Sequence, residues 1–290
     1  MYFALTLLSI LFRIFPRKII LIIGKGLGII IFYLYPIRKS IALKNISIAF
    51  PNYNKNEKYQ LLKSCYKHYG MVFIDFLRLP KFKKEENKII SNMPIDSIEL
   101  MNQYEGGILL SAHIGNWEYI GPTLSNYGIK CAGVTLVQRN SSSNKFFNNL
   151  RTSKHMKTIA SNAGSKIMIE HITSGYYLGL ISDQNAKNRG TRSLFFNQPV
   201  SVPKGAAAFH LKTNTPIVVG FCILCKDLHY ELSFRKMNLE DLPKNSDDAI
   251  IEINNRFTKI LEEIVKKYPE QYFWFHRKWN IDVYKGISNY

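Results

Sequence analysis

Two nearly unbroken apolar runs open the chain, "YFALTLLSILF" and "IILIIGKGLGIIIFYLY". The second, residues 19 to 35, is near the lower length limit for crossing a bilayer and carries Lys25, so an in-plane or tilted anchor and a true span both stay open. "NEKYQLLKSCYKHYGMVFIDFLRLP" then places Leu61, Leu62, Cys65, Tyr66, Tyr69, Phe73, Phe76 and Leu77 at helical spacing, which predicts an amphipathic helix ended by Pro80. His68 on that helix is expected to be a surface or internally satisfied histidine. From residue 106 the pattern changes to short apolar runs separated by helical stretches: "GILLSA", "CAGVTLV", "YYLGLIS", "PIVVGFCIL" and "YELSFR". Strands alternating with helices predict an α/β layered sheet with covering helices. "GAAAFHLKTN" reads as one covering helix. "SDDAIIEINNRFTKILEEIVKKYP" is the clearest helix, with acids near its start, lysines near its end and one apolar stripe. The Ser and Asn cluster at 140 to 149 reads as a loop. The expected organisation is an N-terminal membrane anchor over residues 1–40 and one main domain over residues 41–290.

Charge sharpens the picture of the N-terminus. The 290 residues carry 39 Lys and Arg against 21 Asp and Glu, a formal charge of +18, which favours a polyanionic partner. The first 50 residues contain no acid, and Arg13, Arg17, Lys18, Lys25, Arg38, Lys39 and Lys44 interleave with the apolar runs, as expected beside an anionic bilayer. Positive charge just after residue 36 predicts that the bulk of the chain stays on the cytoplasmic side. A cleavable signal peptide is not expected, because no basic region opens the chain and no small-x-small site follows. "GKGLG" lacks the Gly-Lys-Ser/Thr ending of a phosphate loop. Nucleic acid is not the expected partner: zinc-finger spacing, RRM-like motifs and a single basic tract are all missing. Four cysteines do not make a disulfide framework in a chain of this size, and Cys222 and Cys225, without a second pair, read as buried thiols and not as zinc ligands.

Candidate chemistry sits in "GGILLSAHIGNWEYIGP". The apolar run supplies a strand, Gly115 breaks it, and the residues after it can start a helix. His113 then falls at the carboxyl end of a strand, where ligand sites of α/β sheets gather, with Glu118 in the first turns beyond. On a continuous helix the two side chains would point about 140° apart, so a bend is needed, and Gly115 can provide it. Glu118 is then expected to accept the proton of one imidazole nitrogen and leave the other as a free base for an alcohol. Backbone amides around Gly115 and Asn116, or the cation Arg139, are candidate oxyanion donors. On spacing alone a satisfied core histidine and a solvated glutamate have the advantage, because an H-x4-E pair arises often by chance.

The motif resembles the H-x4-D/E motif of glycerolipid acyltransferases, and specifically its form in the bacterial lipid A late acyltransferases, the lauroyl and myristoyl transferases. The resemblance extends in order through "VQRN" (137–140), "LISDQN" (180–185), "LFFNQPVSVPKGAAAFHLKTNTPIV" (194–218) and "PEQYFWFHRKWN" (269–280). It implies that His113 is the general base and Glu118 its orienting carboxylate, with Arg139 near the active site on a phosphate or the oxyanion. Asp183 and Gln184 match the family's "DQ", to hydrogen-bond the sugar acceptor or brace the loop bearing Arg189 and Arg192; a turn capped by Asp183 is the structural alternative. Lys204 and Gly205, at the start of a covering helix, can offer charge and amides to an anionic group. His276 stays outside the catalytic set. The implied activity moves a fatty acyl chain from a thioester, carried by acyl carrier protein, to a hydroxyl or hydroxyacyl group of a lipid A precursor at the bacterial inner membrane. Anionic lipids hold the enzyme there, and no metal or organic cofactor is needed. Another anionic glycophospholipid acceptor, such as a phosphatidylinositol mannoside, and a non-catalytic basic lipid-binding protein are the alternatives. Two positions depart from the family's pattern: Glu118 stands where many acyltransferases have Asp, and Asn280 where a basic residue is usual.

Overall fold

In the computed structural model, which describes residues 1–152 and 155–287, the two apolar runs fold as separate helices, α1 (Tyr2–Ile14) and α2 (Arg17–Leu34). Pro16 caps α2 and separates it from α1, as a residue without an N–H suits the position before a first turn. No single described helix is long and apolar enough to cross a membrane. α2 and the next helix, α3 (Lys39–Ala49), pass that test together, but they are bent by 100°.

The glycines of "GKGLG" have a packing purpose. α2 lies along α4 (Lys55–Leu77), and a Cβ on Gly28 would stand 2.1 Å from the carbonyl oxygen of Tyr66, while one on Gly70 would stand 2.1 Å from that of Gly24. The two backbones touch, which only glycine permits. Ile20, Leu21 and Phe32 face this seam and are buried, whereas Ile19, Ile22, Ile23, Ile30 and Leu34 are exposed. Phe3, Leu7, Ile10, Leu11 and Ile14 of α1 extend the exposed apolar surface. A face of that kind beside basic residues is what an in-plane helix offers a bilayer.

α4 begins with a capping box between Asn54 and Glu57 and ends as expected just before Pro80, which lies in the first turn of α5 (Leu79–Glu85). β1 (Ile90–Asn92) and α6 (Ile95–Asn102) lead into the alternating part of the chain. There β2 (Gly107–Ser111), α7 (Ile120–Asn126), β3 (Cys131–Thr135), α8 (Ser141–Arg151), β4 (Met156–Ala160), α9 (Ser165–Thr173) and β5 (Tyr177–Ile181) follow in turn. A hairpin of β6 (Gly190–Phe195) and β7 (Gln198–Pro203) precedes α10 (Gly205–Thr213), β8 (Ile217–Leu224), β9 (Tyr230–Lys236) and α11 (Ser246–Lys267).

Among the described residues the main sheet has seven strands in the order β1-β9-β8-β2-β5-β3-β4. β8, β2, β5, β3 and β4 are parallel, β9 runs antiparallel to β8, and β1 is parallel to β9. Both faces are covered, so β2 and β8 are buried throughout and read as continuous apolar runs. Successive residues feed opposite cores: Ile108 and Leu110 join the core under α10 and α11, and Leu109 joins the one under α5 to α8. Cys222 is a free, buried thiol in β8, as expected, whereas Cys225, expected buried as well, is free but only half-buried after the strand.

The loop expected at 140 to 149 is corrected to a helix, α8. Asn140 accepts a bond from the Ser143 amide at 3.0 Å, and Phe146 and Leu150 share a buried face, so the polar cluster is a cap and a solvated side. β3 also stops at Thr135, and Leu136 and Val137, expected inside the strand, are exposed beyond it.

Candidate active site

Register brings two distant residues together at the carboxyl edge of the sheet. Ser111 and Ile181 pair at the ends of the parallel neighbours β2 and β5, and the Ser182 amide donates to the Ser111 carbonyl at 3.0 Å. Two residues beyond each strand end stand His113 and Asp183. Their side chains meet, with His113 Nδ1 2.7 Å from Asp183 Oδ1. An ionised carboxylate only accepts, so Nδ1 carries the proton and Nε2 keeps its lone pair. Nε2 has no hydrogen-bond partner among the described residues, and the ring is 23% exposed. Burial opposes a charge on His113, but the charge and hydrogen bond of Asp183, helped by Glu118, outweigh it and raise its pKa above the ordinary histidine value. Burial likewise works against ionised Asp183, yet His113 and Lys278 hold its pKa below the ordinary carboxylate value. Lys278 is buried, donates to the Asp183 carbonyl, and is pushed down to about 8 by its burial. Trp117 and Phe273 flank the imidazole, with ring centroids at 4.8 and 5.9 Å.

The bend after His113 is built as the glycine allows. Gly115 has φ +61°, and a Cβ there would stand 2.0 Å from the Cys222 carbonyl. The loop is strapped on every side. Its Gly115 amide donates to Gln271 at 3.0 Å, its Asn116 amide to Cys222 at 2.8 Å, and its His113 carbonyl accepts from the Phe273 amide at 2.9 Å. Tyr69 of α4 donates its hydroxyl toward the His113 and Gln271 carbonyls, and His68 Nε2 lies 3.3 Å from the Gly115 carbonyl. His68 is therefore the satisfied internal histidine, not a surface one, and burial lowers its pKa to about 4. "PEQYFWFHRKWN" supplies the other half of the strap, and its Tyr272, Trp274 and Phe275 are core residues.

The family model described as bacterial lipid A biosynthesis acyltransferase matches residues 1–280. The chain belongs to that family. No curated protein matches it. As a lipid A biosynthesis acyltransferase it is an acyl-transferring enzyme, and the family is membrane-associated in bacteria.

On this acyltransferase the residues expected from the sequence divide into three groups. His113 and Asp183 form the pair just described. Glu118 is a correction: it is not the hydrogen-bond partner of His113. It lies in a 3-10 turn (Trp117–Tyr119) and binds Arg151 through two bonds of 2.7 and 2.5 Å. Arg151 ends α8, where a cation is favoured, and its guanidinium also lies over Phe76. Asn116 is a second correction. Its side chain is buried and donates to the Tyr230 hydroxyl at 3.1 Å, so it anchors the loop inside the protein and does not face a substrate. The third group stays solvent-facing. Arg139 is exposed four residues past β3, on the same edge as His113; Gln184 is half-buried beside Asp183; Arg189 is exposed ahead of β6. Lys204 and Gly205 open α10, which returns to start β8, so its N-terminus lies toward that carboxyl edge. His276 accepts from the Asn185 amide at 3.3 Å, and burial lowers its pKa to about 4. Arg151 and Lys278 are the functional candidates that sequence reasoning missed. Among the described residues no cluster of three or more His, Cys, Asp or Glu side chains is placed to hold a metal.

Proposed function

We propose that the enzyme transfers a fatty acyl chain from a thioester, carried by acyl carrier protein, to a hydroxyl or hydroxyacyl group of a lipid A precursor at the cytoplasmic side of the inner membrane. The observation that carries this reading is the free Nε2 of His113, whose other nitrogen is fixed by Asp183 at 2.7 Å. His113 takes the proton of the acceptor hydroxyl as its oxygen bonds to the thioester carbonyl carbon. The tetrahedral intermediate collapses, the carbon–sulfur bond breaks, and the thiolate recovers the proton from the imidazolium. Asp183 fixes the tautomer and stabilises that imidazolium; it is never itself protonated.

In this reading Glu118 acts at longer range. It adds negative charge near the imidazolium and ties the catalytic loop to α8 through Arg151. Arg139, Gln184, Arg189 and Lys204 supply the acceptor side, where phosphates and sugar hydroxyls need cations and donors, and the Gly205 amide adds a donor at a helix start. The Gly115 and Asn116 amides, candidate donors by sequence, are already bonded to the Gln271 and Cys222 carbonyls, so the oxyanion receives Arg139, and one such donor contributes about 3 kcal/mol.

The test is product formation. Purified enzyme in detergent, given an acyl carrier protein thioester and a lipid A precursor, should yield a precursor heavier by one acyl group in mass spectrometry, and His113→Ala should abolish it. Acylation of a phosphatidylinositol mannoside in place of the lipid A precursor would move the assignment to the alternative acceptor. No acyl transfer from any thioester to either lipid would overturn it.

A further inference from the structure

A cavity of about 400 Å³ lies between α2, α4 and the turn joining β8 to β9. Lys25 of α2, Lys67 of α4 and Lys226 of the turn converge on it from three separate elements. No ion pair is formed by any of the three among the described residues. Glu270 is the acid lining the cavity, so three lysines against one glutamate leave two positive charges, with His68 neutral in its wall. Two further carboxylates stand at the same turn outside the lining, Asp227, 3.1 Å from His229, and Glu231, against Cys225, while Arg17 nearby is held by Asp75 at 2.7 Å.

The second feature of the cavity is its apolar lip. Ile22 lines it and is 60% exposed, and Ile19 and Ile23 stand beside Ile22 on the same face of α2, all open to the surroundings. A basic hollow continuous with an exposed apolar helix face matches an amphiphile whose headgroup is anionic and whose chains run along the helix. A soluble anion would use only the basic half. We infer that this cavity is a binding site for an anionic phospholipid, its phosphate among Lys25, Lys67 and Lys226 and its acyl chains against Ile19, Ile22 and Ile23.

Occupancy bears directly on the catalytic loop. His68 and Gln271 wall the cavity, and the same two residues hold the Gly115 carbonyl and amide from behind. A lipid seated there braces the strap of the His113 loop without approaching the imidazole. The binding claim is independent of the acyl acceptor, because it concerns a different surface.

Native mass spectrometry of the full chain in an uncharged detergent, titrated with phosphatidylglycerol or phosphatidylcholine, reads this out without an activity assay. The wild type should take up one phosphatidylglycerol in preference to phosphatidylcholine. Lys67→Gln with Lys226→Gln should weaken that uptake roughly tenfold or more, while Lys166→Gln with Lys212→Gln, exposed lysines elsewhere, should leave it unchanged. Glu270→Gln should strengthen it, a gain that a misfolded variant would not show. Glycerol phosphate should fail to compete. Equal uptake of the two lipids by the wild type, unchanged uptake in Lys67→Gln with Lys226→Gln, or full displacement by glycerol phosphate would overturn the assignment.

Discussion

In the proposed mechanism His113 is set for its task by a carboxylate 70 positions further along the chain. Neutral Asn at 183 keeps the size of Asp but removes both the negative charge and the tautomer preference. Asp183→Asn should therefore lower kcat about 10²- to 10⁴-fold, and it should move the pH profile as well. A general base must be neutral, so activity rises with pH through the His113 pKa, which stands above the ordinary histidine value of 6.5. With Asp183 removed that pKa falls, and the acid limb of kcat moves to lower pH. Glu118→Gln removes a smaller share of the same field and should shift the limb less, although it also loosens the bond to Arg151. An equal or larger shift in Glu118→Gln would show that Glu118, not Asp183, governs the base.

Part of this pairing was legible in the sequence. "GILLSAH" and "YLGLISD" each place the chemical residue two positions after a strand, the signal that two parallel neighbours would bring them side by side. It could not be used without knowing that β2 and β5 are adjacent, since adjacency is a property of the whole sheet. His113 and Glu118 are close in sequence and invited a direct bond. Arg151 is hidden for a different reason: the cap and solvated face of its helix are rich in Ser and Asn, a composition that reads as a loop.

At the scale of elements, glycines decide two contacts. Gly115 adopts a left-handed backbone and presses on Cys222, so Gly115→Ala should cost roughly 2–5 kcal/mol from backbone strain and overpacking together and should displace His113. Thermal unfolding in detergent gives the stability loss, and a fall in kcat beyond it reports the displacement. Gly28→Ala forces apart the α2–α4 seam, with an expected cost of roughly 1–3 kcal/mol and little change in kcat per folded molecule. The alternation of strands and helices and the long amphipathic helices were readable from periodicity, because burial on one or both faces leaves a direct imprint on the sequence. The purpose of "GKGLG" was not, since a helix–helix contact requires the partner helix to be known.

For the whole molecule, the +18 charge and the exposed apolar faces of α1 and α2 predict attachment in two parts. Binding to vesicles containing anionic lipid should weaken as salt rises from about 0.1 M to about 1 M, because the screening length shrinks from roughly 10 to 3 Å. The apolar contribution should leave a residue of binding at high salt. Sedimentation with vesicles measures both, and binding that ignores salt or vanishes entirely would contradict the two-part attachment. The sequence left open whether the second apolar run spans the bilayer; α2, at 18 residues, packs along one side on α4, and no single described helix is long and apolar enough to cross.

The most direct measurement is the single-turnover rate of acyl transfer from an acyl carrier protein thioester to a lipid A precursor, compared between wild type, His113→Gln and Asp183→Asn at matched folding. Proton abstraction by an Asp183-oriented imidazole predicts that His113→Gln loses at least about 10²-fold and that Asp183→Asn loses a comparable factor. Transfer near the wild-type rate in His113→Gln would contradict it.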